Sequence, residues 1–364
     1  MIREKMGDKK TAIADNIADL SEFRTLNAEE LIAPHPAEPR DSARLMVLNR
    51  KSGEISHSFF RDICNFLRPL DCLVLNKSRV RKVGLRGRKE TGGKVDLLLI
   101  KAKDPECKTW TALSGKISPG NIVIFEGGNR AKCLSREAGG SFIFEFSAPA
   151  DSNYLDLYGK MPLPRYIIKS RKKLSMTGAK IDDDRDYQTV YAGVPGSIAA
   201  PTAGFHFTGE LLEKLKEQGI KTVYTTLHIG WGTFKPVRAS NPEKHLMLGE
   251  ECHISGEDAE IINQARASGN RIIPVGTSSM RALETFYGEN GMLGWGSKTA
   301  DIFIYTGYGF KTPDAFITNF HLPDSAPLYM AAAFAGRKNL LKAYSEAVSR
   351  KYRFYSYGDA MMIV

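Results

Sequence analysis

The sequence has few cysteines and none of the spacings that build clustered metal sites. Its 364 residues include five cysteines, an odd number, and no two of them form a CxxC pair. This scatter argues against a zinc ribbon or an iron–sulfur cluster, and we expect no bound metal. Reduced, unpaired thiols are typical of a cytoplasmic protein, which is the location we expect.

Other absences narrow the class further. The longest apolar stretches, such as residues 326–336, are too short to cross a bilayer. The N-terminus mixes Lys, Asp and Glu before any apolar run, unlike a signal peptide. No GK[ST] follows a glycine-rich loop, which excludes a P-loop. An ordinary methyltransferase would show an acidic loop followed by GxGxG. The sequence lacks this pattern, which argues against that class. We find no internal repeat.

The composition is that of an ordinary globular chain with an excess of basic residues. Hydrophobic residues make up 42% and charged residues 25%, which suits a sizeable core and two domains. The formal net charge is +10. A basic excess favours a polyanionic partner such as nucleic acid, although a merely basic soluble protein is the alternative.

The middle of the chain is predicted to be all-β. Segments 72–75, 94–100, 121–125 and 141–146 have the period of two that strands show. Paired glycines and Pro-Gly separate them as turns. Residues 71–150 are therefore predicted to form a small β-barrel or sandwich.

Strands and helices alternate in the remainder of the chain. Helices are predicted at about 209–218, at 257–268, from Ser279, and twice within 325–351, with intervening strands that include DIFIY. This alternation favours an α/β layer or barrel with a mainly parallel sheet. The strand LMVLN joins it, so the β-rich region is an insertion. Three regions are expected: a polar extension (1–24), an α/β domain (25–70 plus 151–364), and the inserted β-domain (71–150).

Four loops at predicted strand ends are rich in Gly, Thr, His and Asn. The carboxyl ends of parallel strands are where α/β proteins bind ligands. In 200–208, Thr202 and His206 precede a helix start, although Thr208 could serve only as a cap. In 227–234, the glycines let backbone approach a ligand, although a bend packed by Trp231 is the alternative. The candidates there are His228, Gly230, Gly232 and Thr233.

The other two loops carry hydroxyl and amide groups. In 275–284, hydroxyls at a helix start suit a carboxylate, a phosphate or a ribose hydroxyl. An Arg281–Glu284 ion pair and simple helix capping are the competing explanations. In 317–325, Asn319 and His321 precede a proline and a helix cap. Four such loops favour one shared site. The hydroxyl candidates are Thr277, Ser278 and Ser279.

Two charged segments complete the candidates. Residues 182–192 hold acids with Arg185, Tyr187 and Gln188, and a solvated acidic loop is the alternative. Residues 77–89 contain seven basic residues and no acid. Alternating cations on a strand suit a phosphate backbone, although a charged strand face explains them equally. The candidates for contacting such a backbone are Lys77, Arg79, Arg81 and Arg86.

The ordered motifs resemble one enzyme family over residues 31–364. PLPRYI (162–167), DRDYQTVYA, APTAGFHFT, LHIGWGTFKPV, VGTSSMRALE, ITNFHLPDS and YRFYSYGDAMMI (352–363) follow the blocks of the S-adenosylmethionine:tRNA ribosyltransferase-isomerases of queuosine biosynthesis. The resemblance implies a distorted α/β-barrel catalytic domain with an inserted small all-β barrel domain. The active site would lie between them.

The resemblance also implies the chemistry. S-adenosylmethionine is consumed as a ribosyl donor, without a metal or redox cofactor. The acceptor is an aminomethyl-deazaguanine base at the anticodon wobble position of tRNA. Epoxyqueuosine, adenine and methionine are the products. Histidine titrates near neutrality, so His206, His228 and His321 are the candidate acid–base groups, and we expect them to converge on one ribose. Asp186 or Asp184 would offset the sulfonium charge.

The sequence departs from the family pattern at Lys77, Arg165, Trp231, Leu248 and Thr306. A divergent paralogue with an altered substrate is therefore one alternative. A non-catalytic tRNA-binding protein and a phospho-sugar enzyme on a barrel fold are the others. We expect a monomer.

Overall fold

A computed structural model of the chain describes residues 20–137, 139–176, 181–234, 237 and 245–364. The described strands are β1 (Arg44–Leu48), β2 (Ile55–Phe59), β3 (Cys72–Asn76), β4 (Ser78–Val80), β5 (Gly84–Lys89), β6 (Lys94–Ala102), β7 (Thr109–Ser114), β8 (Ile122–Phe125), β9 (Arg130–Arg136), β10 (Phe142–Phe146), β11 (Val194–Ser197), β12 (Lys221–Leu227), β13 (Glu250–Ile254), β14 (Ile272–Pro274), β15 (Gly296–Ala300), β16 (Phe316–Asn319) and β17 (Ala360–Ile363).

The described α-helices are α1 (Ser152–Tyr158), α2 (Arg165–Lys173), α3 (Asp183–Asp186), α4 (Gly209–Glu217), α5 (Gly256–Ala267), α6 (Gly276–Phe286), α7 (Ala326–Ala335) and α8 (Arg337–Ser349). Short 3₁₀ helices include Phe60–Phe66, Thr202–His206 and Trp231–Phe234. In this part of the chain no helix is both long and apolar enough to cross a membrane.

Local sequence determines where the best-predicted helices begin and end. The Thr208 side chain accepts a hydrogen bond from the backbone N–H of Leu211 at the start of α4. Gly219 follows that helix with φ of +76°, a conformation that costs glycine little. Ser255 caps α5 in the same way, and Gly269 follows it with φ of +73°. The predicted bounds of both helices are confirmed within a residue or two.

A closed antiparallel barrel with strand order β10-β7-β6-β5-β8-β9 forms the inserted β-domain. Its interior is filled by large apolar side chains from alternate strand positions, among them Trp110 and Phe144. Leu155 of α1 packs against the same cluster. The alternating pattern that predicted this barrel is therefore the alternation of inward and outward side chains.

Two mixed sheets form the larger α/β domain. One has the order β14-β3-β12-β13-β15, in which β14, β3 and β12 are parallel and the last two pairings are antiparallel. The other has the order β16-β17-β1-β2. An isolated parallel bridge between Val275 and Ile317 joins them. The mixed α/β class with a small β-barrel is confirmed, but the predicted predominance of parallel pairing is wrong.

The strand 72–75 was predicted within the β-rich insertion, and this assignment is wrong. Strand β3 lies between β14 and β12 in the five-stranded sheet, and the barrel begins only at Gly84. All five residues of β3 are buried. A continuous apolar run is typical of a parallel strand covered on both faces, and this run distinguishes β3 from the alternating barrel strands.

Three further expectations need correction. DIFIY (301–305) does not form a strand, and β15 ends just before it. Helix α6 starts at Gly276, three residues before the predicted start. The end of the predicted polar extension belongs to the folded core, because Leu20 and Phe23 are buried beside α7 and α8. Residues 1–19 of that extension lie outside the described part of the chain.

Candidate active site

A cleft of about 1050 Å³, part of it open to solvent, lies where several strands of the α/β domain end. All four polar loops contribute to its wall: 200–208 after β11, 227–234 after β12, 275–284 after β14, and 317–325 after β16. The predicted site residues that line it are Tyr187, Thr202, Thr277, Ser278, Arg281, Asn319 and His321. The fold thus brings distant segments to one cavity.

The start of α6 presents groups that suit an anion. Gly276 has φ of +87°, and the N-cap residue Val275 provides no side-chain hydrogen bond to the first amides. Those amides and the helix dipole favour negative charge. Among the described residues, the buried hydroxyl of Ser278 has no hydrogen-bond partner, and it faces the cleft. Ser279 is also buried without a described hydroxyl partner, but it is not part of the cleft wall.

Arg281 forms a buried ion pair with Glu250 of β13, and both side chains line the cleft. The other carboxylate oxygen of Glu250 accepts a hydrogen bond from the N–H of Gly230, at 2.8 Å. Burial lowers the pKa of Arg281 to about 10. The proposed Arg281–Glu284 pair is not the arrangement in the structure. Glu284 instead accepts hydrogen bonds from the backbone N–H groups of Lys311 and Thr312 and from the Tyr308 hydroxyl.

His321 is the one predicted catalytic histidine in the described cleft wall. Its Nε2 lies 2.6 Å from the Thr318 hydroxyl, and its backbone N–H donates to the Tyr344 hydroxyl at 2.6 Å. Burial lowers the pKa of the His321 imidazole to about 3. The side chain is therefore neutral at pH 7, fixed in place, and exposed to the cavity.

His206 lies behind the cleft wall. Its Nε2 is 3.4 Å from the Asn319 amide nitrogen, which also donates to the Tyr355 carbonyl at 3.2 Å. The His206 ring packs 4.9 Å from the Phe60 ring, and burial lowers its pKa to about 4. The Asn319 carbonyl oxygen is buried in the cleft wall with no hydrogen-bond partner among the described residues. His206 thus contacts a cleft residue without lining the cleft itself.

His228 faces a different surface. Its Nδ1 lies 2.7 Å from the Ser78 hydroxyl, which is 2.6 Å from that of Ser197. A Cβ atom on Gly196 would come within 2.4 Å of the imidazole, so only glycine fits there. Burial lowers the pKa of His228. The expected convergence of His206, His228 and His321 on one cavity is therefore not what the structure shows.

The acidic segment places one aromatic residue at the cleft and its neighbours elsewhere. Tyr187 is buried and lines the cleft. Asp186 is buried and accepts a hydrogen bond from Arg185 at 2.8 Å. The Gln188 amide bonds to both backbone groups of Val80, at 3.0 and 2.8 Å. The contacts of Gln188 therefore hold β4 in place, and Asp186, Arg185 and Gln188 do not line the cleft.

The glycine-rich loop 227–234 supports the cleft through its backbone, since the Gly230 N–H donates to Glu250. A Cβ atom on Gly232 would lie 3.1 Å from the Leu248 side chain, so the loop packs closely against the residues before β13. Neither Gly230 nor Gly232 lines the cleft, whereas Ile229 between β12 and the loop does. The side chain of Thr233 lies outside the described part of the chain.

Sequence reasoning missed several cleft residues. Glu250 lines the cleft from an antiparallel strand, and no spacing to the other candidates indicated it. Tyr166 and Tyr355 contribute aromatic rings with centroids 5.0 Å apart, and the Tyr166 hydroxyl lies 2.6 Å from that of Ser356. Phe303 belongs to the predicted strand that does not form. Tyr166 and Tyr355 lie in two of the motif blocks, PLPRYI and YRFYSYGDAMMI, and these blocks could have indicated them.

The predicted tRNA-binding residues lie from just before β4 to β5, and none of them lines the cleft. Arg79 and Arg86 are exposed. Lys77 lies 5.7 Å from the Tyr224 ring centroid and Arg81 5.6 Å from that of Trp110. Arg86 also lies 3.5 Å from Asp96, a pair that is open to solvent.

Known proteins resemble this chain over nearly its full length. The family described as queuosine biosynthesis protein matches residues 20–363. The S-adenosylmethionine:tRNA ribosyltransferase-isomerase of Thermoanaerobacter sp. is 47% identical over 94% of this chain and 99% of its own length. Its namesake from Pelobacter propionicus is 44% identical with the same coverage. The crystal structure of an S-adenosylmethionine tRNA ribosyltransferase from Thermotoga maritima matches 92% of this chain and 97% of its own, with 34% identity and a TM-score of 0.50.

Proposed function

This chain belongs to the queuosine biosynthesis protein family, and from that membership we propose that its cleft binds S-adenosylmethionine. It is a tRNA ribosyltransferase-isomerase, which transfers and isomerises the ribosyl group of the donor in queuosine synthesis. The observation that carries the location is the meeting of four separate polar loops at one cavity. The phospho-sugar enzyme and the non-catalytic binder are not favoured.

The acceptor is an aminomethyl-deazaguanine base at the wobble position of tRNA. A base removes a proton from the ribose carbon next to the positive sulfonium, and adenine leaves with a proton supplied to it. The substrate amine then attacks the unsaturated sugar. The carbanion next to the sulfonium then closes the cyclopentane onto the aldehyde carbon that ring opening and adenine loss have left, and the resulting alkoxide displaces methionine to form the epoxide, so that epoxyqueuosine, adenine and methionine are the products. Proton transfer and positioning account for each step without a metal or redox cofactor.

The start of α6 is the proposed site for the donor's methionine carboxylate. Free amides at a helix start bind carboxylates, and the Ser278 hydroxyl adds a donor that has no hydrogen-bond partner among the described residues. Arg281 supplies positive charge within the same wall. The side-chain carbonyl oxygen of Asn319 has no partner among the described residues, so it is able to accept a hydrogen bond from a ribose hydroxyl.

Two features suit the positive sulfonium. The rings of Tyr166 and Tyr355 line the cleft, and aromatic faces attract cations. The Glu250 carboxylate is in the same wall and attracts the same charge. Burial lowers the pKa of His321 to about 3, so its side chain is neutral at pH 7 and does not repel the sulfonium.

We assign the proton transfer at the sugar to His321, because it is the histidine that reaches the cleft. His206 acts through Asn319 as a positioning residue. His228 and Asp186 remain predictions from the resemblance. The cations Lys77, Arg79, Arg81 and Arg86 are proposed to contact tRNA phosphates. The chain is proposed to act as a monomer in the cytoplasm, where free thiols such as its five cysteines stay reduced.

The test is incubation of the purified chain with S-adenosylmethionine and tRNA that carries the aminomethyl-deazaguanine base. Mass spectrometry of the digested nucleosides should show the cyclopentane epoxide, with adenine and methionine released in equal amounts. The same tRNA with unmodified guanine at the wobble position is the matched control. A wobble nucleoside that keeps its mass would contradict the proposal.

A further inference from the structure

Helix α2 is unusually basic and stands at the edge of the cleft. Five of its nine residues, RYIIKSRKK, are Arg or Lys, and none is acidic. The exposed cations are Arg165, Lys169, Lys172 and Lys173. Positions 165, 169 and 172 follow the spacing of neighbouring turns, so they form one stripe on the helix surface. The seven residue steps from 165 to 172 span about 10 Å.

The opposite side of α2 is fixed to the protein. Ile167 is fully buried, and the Ser170 hydroxyl donates to the Ile32 carbonyl at 3.1 Å. Arg171 forms a bidentate pair with Asp183, at 2.8 and 2.9 Å. Tyr166 lines the cleft from the same helix. The cationic stripe is therefore held at a fixed position next to the proposed donor site.

Intramolecular contacts do not explain the stripe. Lys173 lies 3.7 Å from Glu30, but both side chains are more than 70% exposed, so this pair adds little stability. Within the described ranges, Arg165, Lys169 and Lys172 have no ion pair. The helix dipole favours cations in the last turn, which accounts for Lys172 and Lys173. Arg165 occupies the first turn, where that dipole disfavours a cation. Its charge therefore indicates an external anion.

We propose that the exposed stripe of α2 binds the phosphate backbone of tRNA beside the base that enters the cleft. This inference rests on the proposed function and assigns its docking surface. The three stripe cations span about 10 Å on neighbouring turns, so each of them can contact a separate phosphate of an RNA strand. Arg165 adjoins Tyr166 in the chain, so backbone contacts on α2 hold the strand next to the cavity. Helix α2 packs near β4, since Ile167 and Val80 belong to one buried cluster, so the stripe adds to the cations proposed on and around β4.

The test compares two triple variants with the intact enzyme. One combines Arg165→Gln, Lys169→Gln and Lys172→Gln, which removes the stripe while keeping good helix formers. The matched control combines Lys214→Gln, Lys216→Gln and Lys338→Gln, three exposed cations on α4 and α8, which contribute nothing to the described cleft wall. The affinity for tRNA is measured by fluorescence anisotropy between about 50 and 200 mM salt.

The stripe variant should lower the slope of log affinity against log salt by about 2 to 3, because each lost phosphate contact removes about 0.7 to 0.9. The control should keep the wild-type slope. Calorimetry should give both variants the wild-type affinity for S-adenosylmethionine, which shows that the cleft is intact. An unchanged slope in the stripe variant overturns the inference, even if its affinity is lower. Failure of the proposed function is distinguishable, because it would leave the wild type itself without epoxide product.

Discussion

The buried pair of Glu250 and Arg281 provides a quantitative test of the cleft architecture. Their side chains are 5% and 9% exposed. The substitution Glu250→Gln keeps the shape and an oxygen that accepts the Gly230 N–H, but it removes the charge. The pKa of Arg281 is about 10, so the guanidinium stays protonated at pH 7 and cannot relieve its burial by losing a proton.

Removal of one partner from a buried ion pair leaves the other charge uncompensated. Such changes cost about 3–5 kcal/mol, and we expect Glu250→Gln to lower the free energy of unfolding of the α/β domain by this amount. Urea unfolding followed by circular dichroism measures the change. Glu213→Gln is the matched control, because its pair with Lys216 is 72% and 78% exposed and should contribute less than about 1 kcal/mol. Equal effects of the two substitutions would refute the buried pair.

Three further predictions concern the histidines and the basic surface. Burial holds the pKa of His206 at about 4, below its ordinary 6.5, so the unfolded chain binds more protons between these values. The free energy of unfolding should therefore fall by about 3 kcal/mol as the pH drops from 6.5 to 4. Urea unfolding should show a smaller loss in His206→Gln and the full loss in the exposed control His253→Gln. His321→Ala should cut turnover by about 10²–10⁴-fold in a single-turnover assay, with donor affinity nearly unchanged, and wild-type turnover would exclude proton transfer by this residue. Alanine substitution of three cations near β4, Arg79, Arg81 and Arg86, should flatten the salt dependence of tRNA binding. An unchanged slope of log affinity against log salt would remove them from the interface.

Local signals predicted α4 and α5 well, but they did not indicate α1, α2 or α3, and the sheet order was predicted poorly. Caps and terminal glycines lie within a few residues of each helix end, as at Thr208 and Gly219, so a single sequence contains them. The partners of β3 lie about 150 and 200 residues away at Lys221 and Ile272, and no local pattern indicates them. The barrel boundary was misplaced for this reason.

The candidate site shows the same division. Residues at strand ends, such as Ser278, Asn319 and His321, could be predicted to share a cavity because strand ends collect at one edge. The direction of each side chain could not be predicted. His228 follows β12 but turns to Ser78, and the Gln188 amide is used by the backbone of Val80. These contacts depend on tertiary packing of segments far apart in the chain.

The fate of the donor's atoms tests the central claim most directly. Two parallel incubations with the precursor tRNA would use S-adenosylmethionine labelled with carbon-13 either in the ribose or in the methyl group. The account predicts that the ribose label enters the wobble nucleoside and that the methyl label leaves in free methionine. Methyl label in the tRNA, with ribose label retained in a released adenosyl product, would contradict it.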